Sequence, residues 1–99
     1  MPIHTTGLSR EHLSLQIDAD TDFDHFDGFA TALAAMLDCR VVERQWGADR
    51  HQWLLDFEGS RVWLHYEFYG DICWLSVEHD SEFEILQFLH RLLPAGDCA

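Results

Sequence analysis

His51-Gln-Trp-Leu-Leu-Asp-Phe-Glu-Gly-Ser-Arg-Val-Trp-Leu-His-Tyr-Glu-Phe-Tyr-Gly-Asp-Ile-Cys-Trp-Leu-Ser-Val-Glu78 is the stretch whose reading decides the fold. Large apolar residues recur at every second position, the side-chain period of a β-strand. The pattern is broken at Gly59-Ser60 and Gly70-Asp71, where glycine supplies the positive φ that tight hairpin turns need. Three antiparallel strands follow, and two-residue loops would set their register. A Gly59-Ser60 turn pairs Phe57 with Val62, Leu55 with Leu64 and Trp53 with Tyr66. A Gly70-Asp71 turn pairs Phe68 with Cys73, Tyr66 with Leu75 and Leu64 with Val77. The two turns agree on one apolar face, and that face is expected to carry the helices.

Outward from this stretch, residues 40–46 read as another strand, separated from the first of the three by Gly47-Ala-Asp49. Before it, Phe26, Phe29, Ala30, Leu33, Met36 and Leu37 make one helical stripe, with Thr21 or Asp22 as its cap. Leu13, Leu15 and Ile17 alternate as a short strand, with its neighbour in the sheet left open between the first and last strands of the later run. After it, Ser81 and Glu84 form a capping-box pattern, Leu86, Leu89 and Leu93 line a second helix, and Pro94 and Gly96 stop it. The expected fold is α+β with order βαββββα, a mostly antiparallel meander sheet with two helices packed on one face. Residues 1–99 read as a single domain with an ordered core over 12–94, a polar N-terminal arm and a C-terminal tail.

Composition narrows the function. The chain is 47% hydrophobic, with four Trp and seven Phe, enough large side chains for a dense core. Acids outnumber bases 18 to 6, a net charge of −12. Such a surface repels phosphate backbones and anionic lipid, so neither nucleic acid nor membrane is expected as a partner. Cys39, Cys73 and Cys98 are odd in number and lack a CxxC pair, so neither a disulfide framework nor a thiolate zinc site fits. No signal-like segment or apolar run of membrane-spanning length is present, and a cytoplasmic location is expected.

The face opposite the helices is expected to carry the function. The predicted interaction face is Leu54, Trp63, His65, Glu67, Tyr69, Ile72 and Trp74, an aromatic patch rimmed by acids. It suits a non-enzymatic interaction module that binds a basic protein, as an inhibitor or immunity protein would, or a second copy of the chain. The alternative is a metal-binding protein or hydrolase-like enzyme using His65 with Glu67 and Glu78. No catalytic residue, metal ligand or cofactor is assigned. Asp18, Asp20, Asp22 and Asp24 alternate like a calcium loop, but Phe23 and Phe29 stand where that loop needs Gly and Glu.

The segments His51-Gln-Trp-Leu-Leu-Asp-Phe-Glu-Gly, Leu64-His-Tyr-Glu-Phe-Tyr and Trp74-Leu resemble a family of short, uncharacterised bacterial proteins. The resemblance covers the three central strands and rests mostly on core and turn residues. It implies a bacterial cytoplasmic setting and carries no activity or catalytic residues.

Overall fold

The computed structural model describes residues 3–93. The predicted C-terminal tail, with Cys98 and the Pro94–Gly96 stop, lies outside the described residues. Within them the chain forms β1 (Ile3–Ser9), β2 (Ser14–Ala19), α1 (Phe26–Met36), β3 (Arg40–Trp46), β4 (Arg50–Phe57), β5 (Ser60–Glu67), β6 (Ile72–Ser76), a 3₁₀ turn (Asp80–Glu82) and α2 (Phe83–Leu92). The six strands make one antiparallel sheet in the order β1-β2-β6-β5-β4-β3. The α+β architecture with two helices on a largely meandering sheet is thus present. The strand expected over Leu13–Ile17 is β2, and its neighbour in the later run is β6, the last strand.

The N-terminal arm is corrected to an edge strand. Ile3 and Leu8 are five residues apart and would face opposite sides of a regular strand. A register shift between Ile3 and Thr5 restores them to one face, where Ile3 is buried and Leu8 packs against the core. A second bulge, between Val41 and Glu43, lets Val41 face the core while Arg44 and Trp46 share that same side further along β3.

Both central hairpins are offset by two residues from the expected register. Phe57 pairs with Ser60, Leu55 with Val62 and Trp53 with Leu64, so the first loop is Glu58-Gly59. Both its residues have positive φ, 52° and 91°, as a type I′ turn requires. The Gly59 N–H donates to Asp56 Oδ1 at 2.7 Å, which favours that turn over Gly59-Ser60. In the second hairpin Glu67 pairs with Ile72 and Tyr66 with Cys73, leaving a four-residue loop from 68 to 71. A shift of two keeps every strand residue on its expected face. Trp53, Leu55, Phe57, Val62, Leu64, Tyr66, Cys73, Leu75 and Val77 are accordingly all buried. Phe68 is the exception: it sits in the loop instead of the strand and is 53% exposed.

The helices cover this face from two sides. Phe26, Phe29, Ala30, Leu33 and Leu37 bury the predicted stripe of α1, which lies toward β3. Leu86, Leu89 and Leu93 bury that of α2 against β1 and β2, and His90 Nε2 shares a 2.7 Å hydrogen bond with Thr6 Oγ1 of β1. Asp22 accepts the His25 backbone N–H at 2.9 Å just before α1. The helix ends in a Schellman arrangement: Cys39 N–H donates to Ala34 O and Asp38 N–H to Ala35 O, with Asp38 at φ 58°. The capping box expected at Ser81 and Glu84 falls two residues earlier. Glu82 accepts the His79 N–H at 3.1 Å, because the chain enters α2 through the 3₁₀ turn.

Two stability changes follow from these positions. Leu64, fully buried between sheet and helices, should lose about 2–5 kcal/mol on conversion to Ala. An unchanged denaturant midpoint would mean the apolar face is not the core. Asp38→Gly should gain about 0.5–1 kcal/mol, because glycine takes the left-handed conformation without the Cβ penalty. Urea unfolding of both variants measures the two effects.

Candidate functional site

The sheet side away from the helices satisfies much of its own aromatic surface. Leu54, expected to be exposed, is 6% exposed and is flanked across the strands by Trp63 and Glu43. Trp63 is half-buried and donates its indole N–H to Glu78 at 3.0 Å. His65 lies flat on Trp74, ring centres 4.7 Å apart and planes 14° from parallel. Its Nε2 shares a 2.8 Å hydrogen bond with Ser76 Oγ. Glu67 is half-buried, whereas Tyr69 and Ile72 are exposed.

Of the His65, Glu67 and Glu78 of the alternative reading, His65 is bonded to Ser76 and Glu78 to Trp63. Among the described residues no group of three or more His, Cys, Asp or Glu side chains is placed to hold a metal ion. The Ser76–His65 pair has the spacing of a nucleophile and its base. Burial, however, pushes the His65 pKa down to about 4, far below the value near the working pH that a general base needs. The thiols are also poorly suited to nucleophilic work. Burial drives Cys73 up to about 12, and burial with Asp38 and Asp56 drives Cys39 up to about 11.

Exposed aromatic area gathers instead at one end of the sheet, where the β3–β4 and β5–β6 loops meet. The Phe68 N–H donates to Asp49 O at 2.8 Å and ties the two loops together. Trp46 is 71% exposed and Tyr69 82%. Phe68 packs edge-on against Tyr69 at 5.5 Å and against Phe23 at 6.2 Å, making a continuous aromatic row. Phe23 in turn lies 4.4 Å from the His51 ring.

Three hollows open at this end. One of about 200 Å³ is bounded by Gln45, Trp46, Gly47, Asp49, Arg50 and Gln52. One of about 250 Å³ includes Arg50, Gln52, His65, Glu67 and Trp74. The third, about 230 Å³, lies on the helix side between Phe23, Asp24, Asp27, Trp46 and His51. Acids surround the row. Asp22 is held below the usual carboxylate range by its side-chain bond to His25, reinforced by the His25 backbone N–H. Asp71 accepts the Tyr66 hydroxyl at 2.6 Å, and Asp49 lies 3.5 Å from Arg50.

Tyr69 and Ile72 of the predicted face belong to this end, while Trp46, Phe23 and Phe68 were not foreseen as part of it. The signal for Trp46 was its position as the last strand residue before Gly47-Ala-Asp49. Phe68 was missed because the loop is longer than two residues.

A family model described as Protein of unknown function (DUF3630) matches residues 3–94. The chain belongs to that family. Its match spans β1 through α2 and so includes the whole aromatic end and both faces of the sheet. Searches of the curated proteins and of the solved structures found no match. No helix among the described residues is long and apolar enough to cross a membrane.

The His65 environment makes a titration prediction. Its folded pKa lies below the ordinary value of 6.5, so as pH falls the unfolded chain takes up the proton first. Stability is complete above pH 6.5 and declines as pH falls toward 4. The loss should stay below the ideal ~1.4 kcal/mol per pH unit because the ring is partly exposed to solvent. NMR titration of the His65 ring should give a midpoint near 4, and His65→Gln should flatten the decline. A midpoint near 6.5 would contradict the buried, stacked geometry.

Proposed function

We propose that this chain is a non-enzymatic binding module of the bacterial cytoplasm that engages a basic protein through its acid-ringed aromatic end. The observation that carries this reading is the exposure of Trp46, Phe68 and Tyr69 at one end of the sheet, with Phe23, Phe68 and Tyr69 packed in a row and Trp46 lining two hollows. Exposed aromatic area of this kind, rimmed by charge, is the composition of an association surface. Tyr and Trp supply large contact area at low entropic cost, and they dominate binding hot spots.

Charge selects the partner. The surface carries Asp24, Asp27, Asp49 and Asp71, with Arg50 beside Asp49, within a chain of net charge −12. A two-fold self-pairing through this end would set acids against acids, whereas a basic partner gains from the same arrangement and is steered toward it. Heterologous binding is therefore favoured over the homodimer. The enzyme alternative draws no comparable support, since His65 is a weak base and is stacked on Trp74.

Affinity capture from native lysate tests the reading with three forms of the chain. Wild type should retain a stoichiometric basic protein that Tyr69→Ser loses, while both forms melt alike because that ring is 82% exposed in the loop. Retention lost only in Trp63→Ala/Trp74→Ala would move the site to the sheet centre. Equal retention by all three forms would refute the reading.

A further inference from the structure

The hollow between Phe23, Asp24, Asp27, Trp46 and His51 has a chemistry more specific than the end as a whole. At about 230 Å³ it is smaller than the ~300 Å³ at which drug-sized ligand sites begin, and its size suits one side chain. Two of its lining residues are carboxylates, and two are aromatic rings able to stack on a cation.

His51 adds an independent demand. It is 8% exposed, and its Nε2 lies 3.0 Å from the Phe23 carbonyl oxygen. A carbonyl only accepts, so Nε2 carries a proton and donates it to the Phe23 carbonyl, which leaves Nδ1 as the other ring nitrogen to be satisfied. That Nδ1 is buried and has no hydrogen-bond partner among the described residues. A buried polar atom without a partner is costly, and His51 is one of the residues that line the hollow.

The neighbouring rung of β3 shows the same chemistry satisfied within the chain. Arg44 stacks on Trp53, its guanidinium carbon 4.8 Å from the ring centre, on the same side of the sheet as Trp46. Trp46, two residues on, offers an exposed ring beside Asp24 and Asp27.

We infer that this hollow receives an arginine side chain of the basic partner. The guanidinium stacks on Trp46 and pairs with Asp24 and Asp27, beside the His51 ring. Arginine is favoured over lysine because its planar fork can stack and serve several acceptors at once. The inference rests on the aromatic end being the binding surface and names what that end recognises.

NMR titration of the full chain tests it without the partner. The probe is N-acetyl-arginine amide, with N-acetyl-citrulline amide as its near-isosteric neutral counterpart. Saturable shifts of the Trp46 indole N–H and the His51 ring are expected with the arginine probe. Binding at least ten-fold weaker is expected for the citrulline probe and for Asp24→Asn/Asp27→Asn, whose altered side chains are exposed and leave the core intact. Equal response to both probes, or no saturable shift at Trp46 and His51, would overturn the inference. If the titration fails while Tyr69→Ser still abolishes capture, the arginine pocket falls and the aromatic end stands.

Discussion

Phe26, in the first turn of α1, stacks on His51 at 4.7 Å, meets Trp53 edge-on at 5.7 Å and lies 5.4 Å from Tyr66. The helix, β4 and β5 are locked together at this one cluster. It forms only if residues 51, 53 and 66 share a face of the sheet, which the β4–β5 register delivers by pairing His51 with Tyr66 and Trp53 with Leu64. The core then grows away from the cluster through Leu55, Leu64 and Leu75 to α2. Dense aromatic packing gives a chain of 99 residues enough buried area to fold despite its charge.

The same cluster builds the aromatic end. His51 belongs to the core through its ring contacts and to the helix-side hollow through its edge. Phe23 continues the aromatic packing outward from His51 to Phe68, so the exposed row is an extension of the core. Rings anchored in this way are held rigid, which lowers the ordering cost of association. The Asp-rich segment before α1 contributes a local stabiliser through Asp22, and Asp24 and Asp27 beside it supply charge to the hollow.

Period-two alternation made the buried face legible even though both hairpin registers were displaced. Faces depend on parity, and a two-residue slip conserves parity. What alternation could not show was loop length, so Phe68 was assigned to the core and Trp46 was passed over. Nor could it show a bulge: Ile3 and Leu8 have the wrong spacing for a regular strand, and β1 went unseen. The candidate surface was legible in part. Tyr69 and Ile72 were placed correctly as exposed, but Leu54, Trp63 and Trp74 lie lower on the sheet than their hydrophobicity suggests. Their burial comes from cross-strand neighbours and hydrogen bonds such as Trp63 to Glu78, fifteen residues apart, which no local pattern encodes.

Binding of a basic partner at the aromatic end, as proposed, is read directly by site-specific photocrosslinking in living cells. A benzophenone amino acid replaces Tyr69 at the aromatic end or, in a separate variant, Arg61 at the far end of the open sheet face. Binding through the aromatic end requires a discrete protein adduct from position 69 and none from position 61. An adduct from position 61 alone, or none from either, would contradict it.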